Sequence, residues 1–101
     1  MEATIYNNGR GIYGIRVGMP NRDRYFEPTC KEIEVEIDGQ FHRFALTPGF
    51  WHRCPEFRDR CSSVIREWLQ ARRSLDWPKR RPPRVQLLPL GGARFRLLGL
   101  G

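Results

Sequence analysis

The sequence predicts a two-layer α+β domain: an antiparallel or mixed sheet of about four to six strands packed on one main helix. Three stretches carry that expectation. Glu32 to Leu46 alternates apolar and polar residues about Asp38-Gly39, Thr47 to Arg73 holds the one long helical pattern, and Arg84 to Leu98 reads as two strands across Gly91-Gly92. From residue 32 onward the order ββαββ is that of a β-grasp. From 12 to 73 the order βββα is that of small sheet-plus-helix DNA readers. Both are analogies of architecture, and architecture does not settle function.

At the start of the chain, Thr4-Ile5-Tyr6 reads as a short strand and Asn7-Asn8-Gly9 as a tight turn, because Asn and Gly tolerate positive φ. Ile12 to Val17 is β-branched and aromatic, which favours a strand, with Gly14 marking a bulge or a close backbone approach. Gly9-x-Gly11-x-x-Gly14 spells the dinucleotide fingerprint. That motif needs a strand before it and a helix after it, whereas here a strand follows, so no cofactor is expected. Gly18 to Asn21 turns the chain, and Arg22 to Phe26 is expected as a short strand or ordered loop.

In the hairpin, Ile33, Val35 and Ile37 share one face, and a two-residue Asp38-Gly39 turn sets Ile33 against Phe44, Val35 against His42 and Glu34 against Arg43. Thr47-Pro48 resembles a cap and first helical turn. The main helix is expected to start at Cys54-Pro55. Its stripe is Phe57, Cys61, Val64, Ile65, Trp68 and Leu69, with Glu56 and Arg60 as an i, i+4 pair, and Pro78 forces its end between Arg72 and Leu75. Leu75 to Arg84 is a basic, proline-stiffened connector, and Pro89 places its strand at a sheet edge or a bulge.

The 101 residues suit a single domain spanning 1–101. No apolar run approaches the roughly 18 residues of a membrane span, and Met1-Glu2-Ala3-Thr4 does not resemble a signal peptide. No membrane partner is expected, and the cytoplasm is the simplest address. Cys30, Cys54 and Cys61 are an odd set, expected as reduced thiols with two of them in the core.

The net charge of +7 is lopsided: residues 1–50 carry six Lys/Arg against seven Asp/Glu, and residues 51–101 carry twelve against four. Sixteen of the eighteen cations are Arg, which a GC-rich genome would also produce, so the clustering is more informative than the total. Arg72, Arg73, Lys79, Arg80, Arg81 and Arg84 put six cations in thirteen residues around Trp77. Arginine forks onto phosphate and tryptophan stacks on unpaired bases, so this connector is the candidate nucleic-acid surface. Arg58, Arg66 and Arg73 are expected to extend it along one flank of the helix. The plainer reading is a solvated basic loop with Trp77 turned into the core.

Other chemistry is thinner. His52, Cys54 and Cys61, with Cys30 or His42, lack the paired spacing of structural zinc, so no metal is expected. His42 with Glu34 or Glu36 would serve a small ribonuclease, but the hairpin register puts the histidine and the glutamates on opposite faces. The reading that follows is a small non-catalytic nucleic-acid-binding or polyanion-binding module. Its alternatives are a protein-interaction, adaptor or inhibitor domain with an acidic protein partner or a homodimer through a sheet edge, and a ribonuclease-like enzyme.

Overall fold

The hairpin forms in the expected register, with Ile33 opposite Phe44, Glu34 opposite Arg43 and Val35 opposite His42. Asp38 and Gly39 both have positive φ (50° and 84°), the geometry that lets a two-residue turn follow the twist of its strands. The computed structural model describes residues 1–100. In chain order its elements are β1 (Glu2–Asn7), β2 (Tyr13–Arg16), α1 (Met19–Tyr25), β3 (Glu32–Ile37), β4 (Gln40–Ala45), β5 (Glu56–Arg58), α2 (Val64–Ala71), β6 (Arg84–Gly91) and β7 (Arg94–Leu100). A short 3-10 turn, Pro48–Trp51, joins β4 to β5.

The two-layer plan is overturned. All seven strands form one sheet in the order β4-β3-β7-β6-β1-β2-β5, curled into a nearly closed barrel with only two short helices. The eight residues of α2 span about 12 Å. Seven strands at about 4.8 Å spacing make a sheet far wider than that, so one such helix cannot cover a face. Curling solves the problem by burying the inner face against itself. Ala3, Ile5, Ile15, Ile33, Val35, Ile37, Phe44, Phe57, Val85, Leu87, Phe95 and Leu97 alternate inward and are all buried. Across the gap between the end strands, Phe44 and Phe57 meet with ring centroids 5.0 Å apart.

The long helix is corrected as well. Residues 56–58 are a strand paired antiparallel with β2, and the helix begins only at Val64. Glu56 pairs with Arg16 at 2.9 Å rather than with Arg60. Of the expected stripe, Phe57 points into the barrel from β5, Cys61 is exposed, and Ile65, Trp68 and Leu69 form the buried face of α2. Arg22 to Phe26, expected as strand or loop, lies largely in α1, a helix with no buried residue of its own. It is fastened by side chains: Asn21 Nδ2 donates to the carbonyls of Glu2 and Val17, and Arg22 Nη1 donates to those of Phe50 and His52. The thiols of Cys54 and Cys61 are exposed and that of Cys30 is half-buried, so the two expected core cysteines are not there.

Both barrel ends are closed. Phe26 stacks on Phe95 (4.7 Å) and tilts against Phe50 (5.0 Å) at the α1 end. At the other end α2 lies beside the β3–β4 turn, with Arg72 reaching Asp38. Pro89 sits at a bulge in β6, which is an interior strand between β7 and β1. Gly14 lies opposite Tyr6, whose ring covers it, and a Cβ there would fall 2.5 Å from the Phe57 carbonyl. No helix is long and apolar enough to cross a membrane among the described residues.

Candidate nucleic-acid interface

The basic connector is held along the α2 end of the barrel. Tyr13 Oη donates to the Leu75 carbonyl (3.2 Å), Trp77 packs edge-on to the Tyr13 ring (6.1 Å), and Ile5 N–H donates to the Pro83 carbonyl (2.9 Å). Three anchors and the prolines between them give Lys79, Arg80 and Arg81 a fixed platform. All three are exposed and none forms an ion pair among the described residues.

Helix α2 delivers two more cations to this end. It stops in a Schellman motif, with Arg73 N–H bonded to the Gln70 carbonyl (3.0 Å) and Ser74 N–H to that of Leu69 (2.9 Å). The motif needs a left-handed residue after the helix, and Arg73 fills that place at φ 54°. Arg80 is left-handed too, at φ 66°. Arg66, on the exposed side of α2, has its guanidinium over Gly11, where a Cβ would meet Nη1 at 3.6 Å. That contact brings the Asn7–Gly11 loop, and with it Arg10, to the same end. Asn7 and Asn8 shape the loop by accepting from the N–H groups of Gly9 and Arg10 (2.8 Å each).

The nine residues singled out from sequence therefore separate. Arg66, Arg73, Lys79, Arg80 and Arg81 lie at the α2 end, and none of them forms an ion pair among the described residues. Arg72 is occupied: it lies 4.1 Å over the Trp68 ring, donates to the Trp68 carbonyl (3.0 Å) and reaches Asp38 (3.3 Å). Arg84 stands 3.6 Å from Glu2. Trp77 is half-buried, edge-on to Tyr13, so its ring is an anchor and not an open stacking face. Arg58 is not on the helix at all. It projects from the outer wall of β5 beside Tyr6, whose phenol is raised above its ordinary pKa by burial first and by Glu56 second, with Arg58 and Arg16 opposing. Sequence reasoning missed Arg10, since a lone arginine in a turn carries no local signal.

Among the described residues no three His, Cys, Asp or Glu side chains are placed to share a metal. His42 is half-buried opposite Val35, while Glu34 and Glu36 face the outer wall and engage Arg94 (3.7 Å) and Arg96 (2.8 Å). No acid–base pair is assembled there. The chain matches no protein-family model, and no curated protein or solved structure matches it.

Proposed function

We propose that this chain is a small non-catalytic module that binds nucleic acid through the cations at the α2 end, chiefly Arg66, Arg73, Lys79, Arg80 and Arg81. The observation that carries the reading is the conformation of two of them. Arg73 and Arg80 occupy left-handed backbone, which costs an L-residue roughly 1–2 kcal/mol and is ordinarily given to glycine. Backbone strain of this kind collects where a side chain is needed for a task. Here the side chains retained are unpaired guanidiniums on a stiff, anchored platform, which suits phosphate oxygens. With Trp77 turned inward, contact is to the phosphate backbone rather than by base stacking, so little sequence preference is expected.

The test is a salt titration of binding to single- and double-stranded DNA and RNA. Each phosphate neutralised contributes about −0.9 (duplex) or −0.7 (single strand) to the slope of log K against log salt, so five cations give a slope of roughly −4. Replacing Arg80→Ala together with Arg81→Ala should flatten the slope by about 2 and leave the circular dichroism unchanged. Equal affinity in the double variant and the parent would sink the assignment.

A further inference from the structure

The barrel wall carries six arginines on its strands, and four have a carboxylate beside them: Arg16 with Glu56, Arg84 with Glu2, Arg94 with Glu34 and Arg96 with Glu36. The two left over are Arg43 on β4 and Arg58 on β5, the strands that face each other across the unclosed seam. Glu34 lies opposite Arg43 in the register yet turns to Arg94. Arg60, just beyond β5, likewise forms no ion pair among the described residues, so the seam holds three arginines without a carboxylate partner, against two glutamates, Glu32 and the Arg16-bound Glu56.

The seam also has unused backbone. Leu46 N–H bonds to the Lys31 carbonyl (2.8 Å), so the even-numbered residues of β4 address β3 and the odd ones, Phe41, Arg43 and Ala45, point their N–H and C=O groups at the seam. On the facing side, Val17 N–H bonds to Pro55 and Asp59 N–H to Tyr13, so odd residues address β2 and Arg58 is left facing the gap. Among the described residues neither edge has a strand partner. Over this edge lie two recesses of about 170 and 260 Å³ that share Ala45, Arg58 and Arg60. Phe57 lines the first and Phe44 the second, so the two rings that meet across the seam form part of their walls.

We propose that the β4–β5 seam is a docking site for an extended acidic peptide that adds as a strand to the β4 edge. Its alternate carboxylates lie against Arg43, Arg58 and Arg60. Strand addition satisfies the open N–H and C=O groups, and the two-residue period of a strand sets every second side chain on the side where the arginines stand. A second copy of the chain is the wrong occupant, because pairing β4 with β4 confronts Arg43 with its own kind, and the acidic row of β3 lies inside the sheet. Arg43, Arg58 and Arg60 are none of the five cations assigned to the α2-end surface, so the two assignments can fail independently.

The probe is an acetylated, amidated peptide of about seven alternating Glu and Val residues, a common strand length, titrated calorimetrically into the intact protein. Binding should weaken at least tenfold, about 1.4 kcal/mol, in the Arg43→Ala/Arg58→Ala protein. It should be lost when the peptide is N-methylated at every second residue in one of the two possible phases, which removes main-chain donors and keeps every charge. No detectable binding, or binding indifferent to N-methylation in both phases, overturns the proposal. So does an oligonucleotide that loses affinity in Arg43→Ala/Arg58→Ala but keeps it in Arg80→Ala/Arg81→Ala, since the groove would then belong to phosphate.

Discussion

Asp59 is a buried carboxylate, 6% exposed, whose two oxygens accept the N–H groups of Ile65 (3.0 Å) and Arg66 (3.1 Å). It caps α2 from outside the helix, while Ser63 at the usual capping place makes no side-chain bond. Burial raises its pKa above 3.8, the two N–H bonds pull it down, Glu67 raises it and His42 lowers it. A folded value above the unfolded one contributes stability that is complete below 3.8 and is lost as pH rises through the raised value. Asp59→Ala removes both hydrogen bonds and should cost about 1–3 kcal/mol. Because the variant lacks this titration, its deficit against the parent should shrink as pH rises from about 4 toward neutrality, read from urea midpoints. A deficit that widens with pH would contradict the assignment. Asp59 also explains why the helix start was illegible: the cap lies six and seven residues upstream of its donors, outside any local capping pattern. Arg73 supplies the opposite case. Arg73→Gly should raise stability by about 0.5–1 kcal/mol, the left-handed penalty less the chain entropy of glycine, while weakening nucleic-acid binding. A gain in stability with unchanged binding would mean that the charge at Arg73 is idle.

Elements were legible where their partners are close in sequence. The β3–β4 hairpin followed from Asp38-Gly39 and strict alternation, and the β6–β7 hairpin from two β-rich runs about a glycine pair, since each pairs mainly with its neighbour in the chain. Strand β5 was not legible, because its only partner is β2, some forty residues away, and Phe57 happens to stand four residues from Cys61 and eight from Ile65, a helical spacing. Helix α1 was hidden for another reason: it has no fully buried residue and is tied down by Asn21 and Arg22, so it shows no apolar period. Of the candidate site, composition located the connector, but the turning of Trp77 onto Tyr13 and the loss of Arg72 to Trp68 and Asp38 depend on contacts no local pattern encodes. The connector's hold on the barrel can be loosened without touching its charges. Tyr13→Phe deletes the hydrogen bond to Leu75 and should lower stability by about 0.5–1.5 kcal/mol. Trypsin should then cut faster after Lys79 and Arg80, as local opening becomes easier. Unchanged cleavage would show that Trp77 and Pro83 hold the segment alone.

For the molecule as a whole, the barrel is assembled out of chain order. Only three of its six neighbouring strand pairs join strands consecutive in sequence: β1–β2, β3–β4 and β6–β7. The remaining joins, β3–β7, β6–β1 and β2–β5, are long-range, and the only parallel one is β3–β7. Strand β7, residues 94–100, stands in the middle of the sheet between β3 and β6. During synthesis the residues of β3 and β6 therefore emerge with their inner neighbour still to come, each presenting an unfilled edge and a row of apolar side chains to solvent. The barrel cannot be completed from the N-terminus in stages. Nascent chains stalled at Gly92 should stay as sensitive to pulse proteolysis as unfolded protein, and chains carrying residues 1–101 on a long spacer should become resistant in one step. Resistance already present at Gly92 would mean that β1–β6 hold together unaided. Strand β7 thus acts as a clock: folding waits until it has emerged, and in that interval the cell must keep a half-built, sticky sheet apart from its copies.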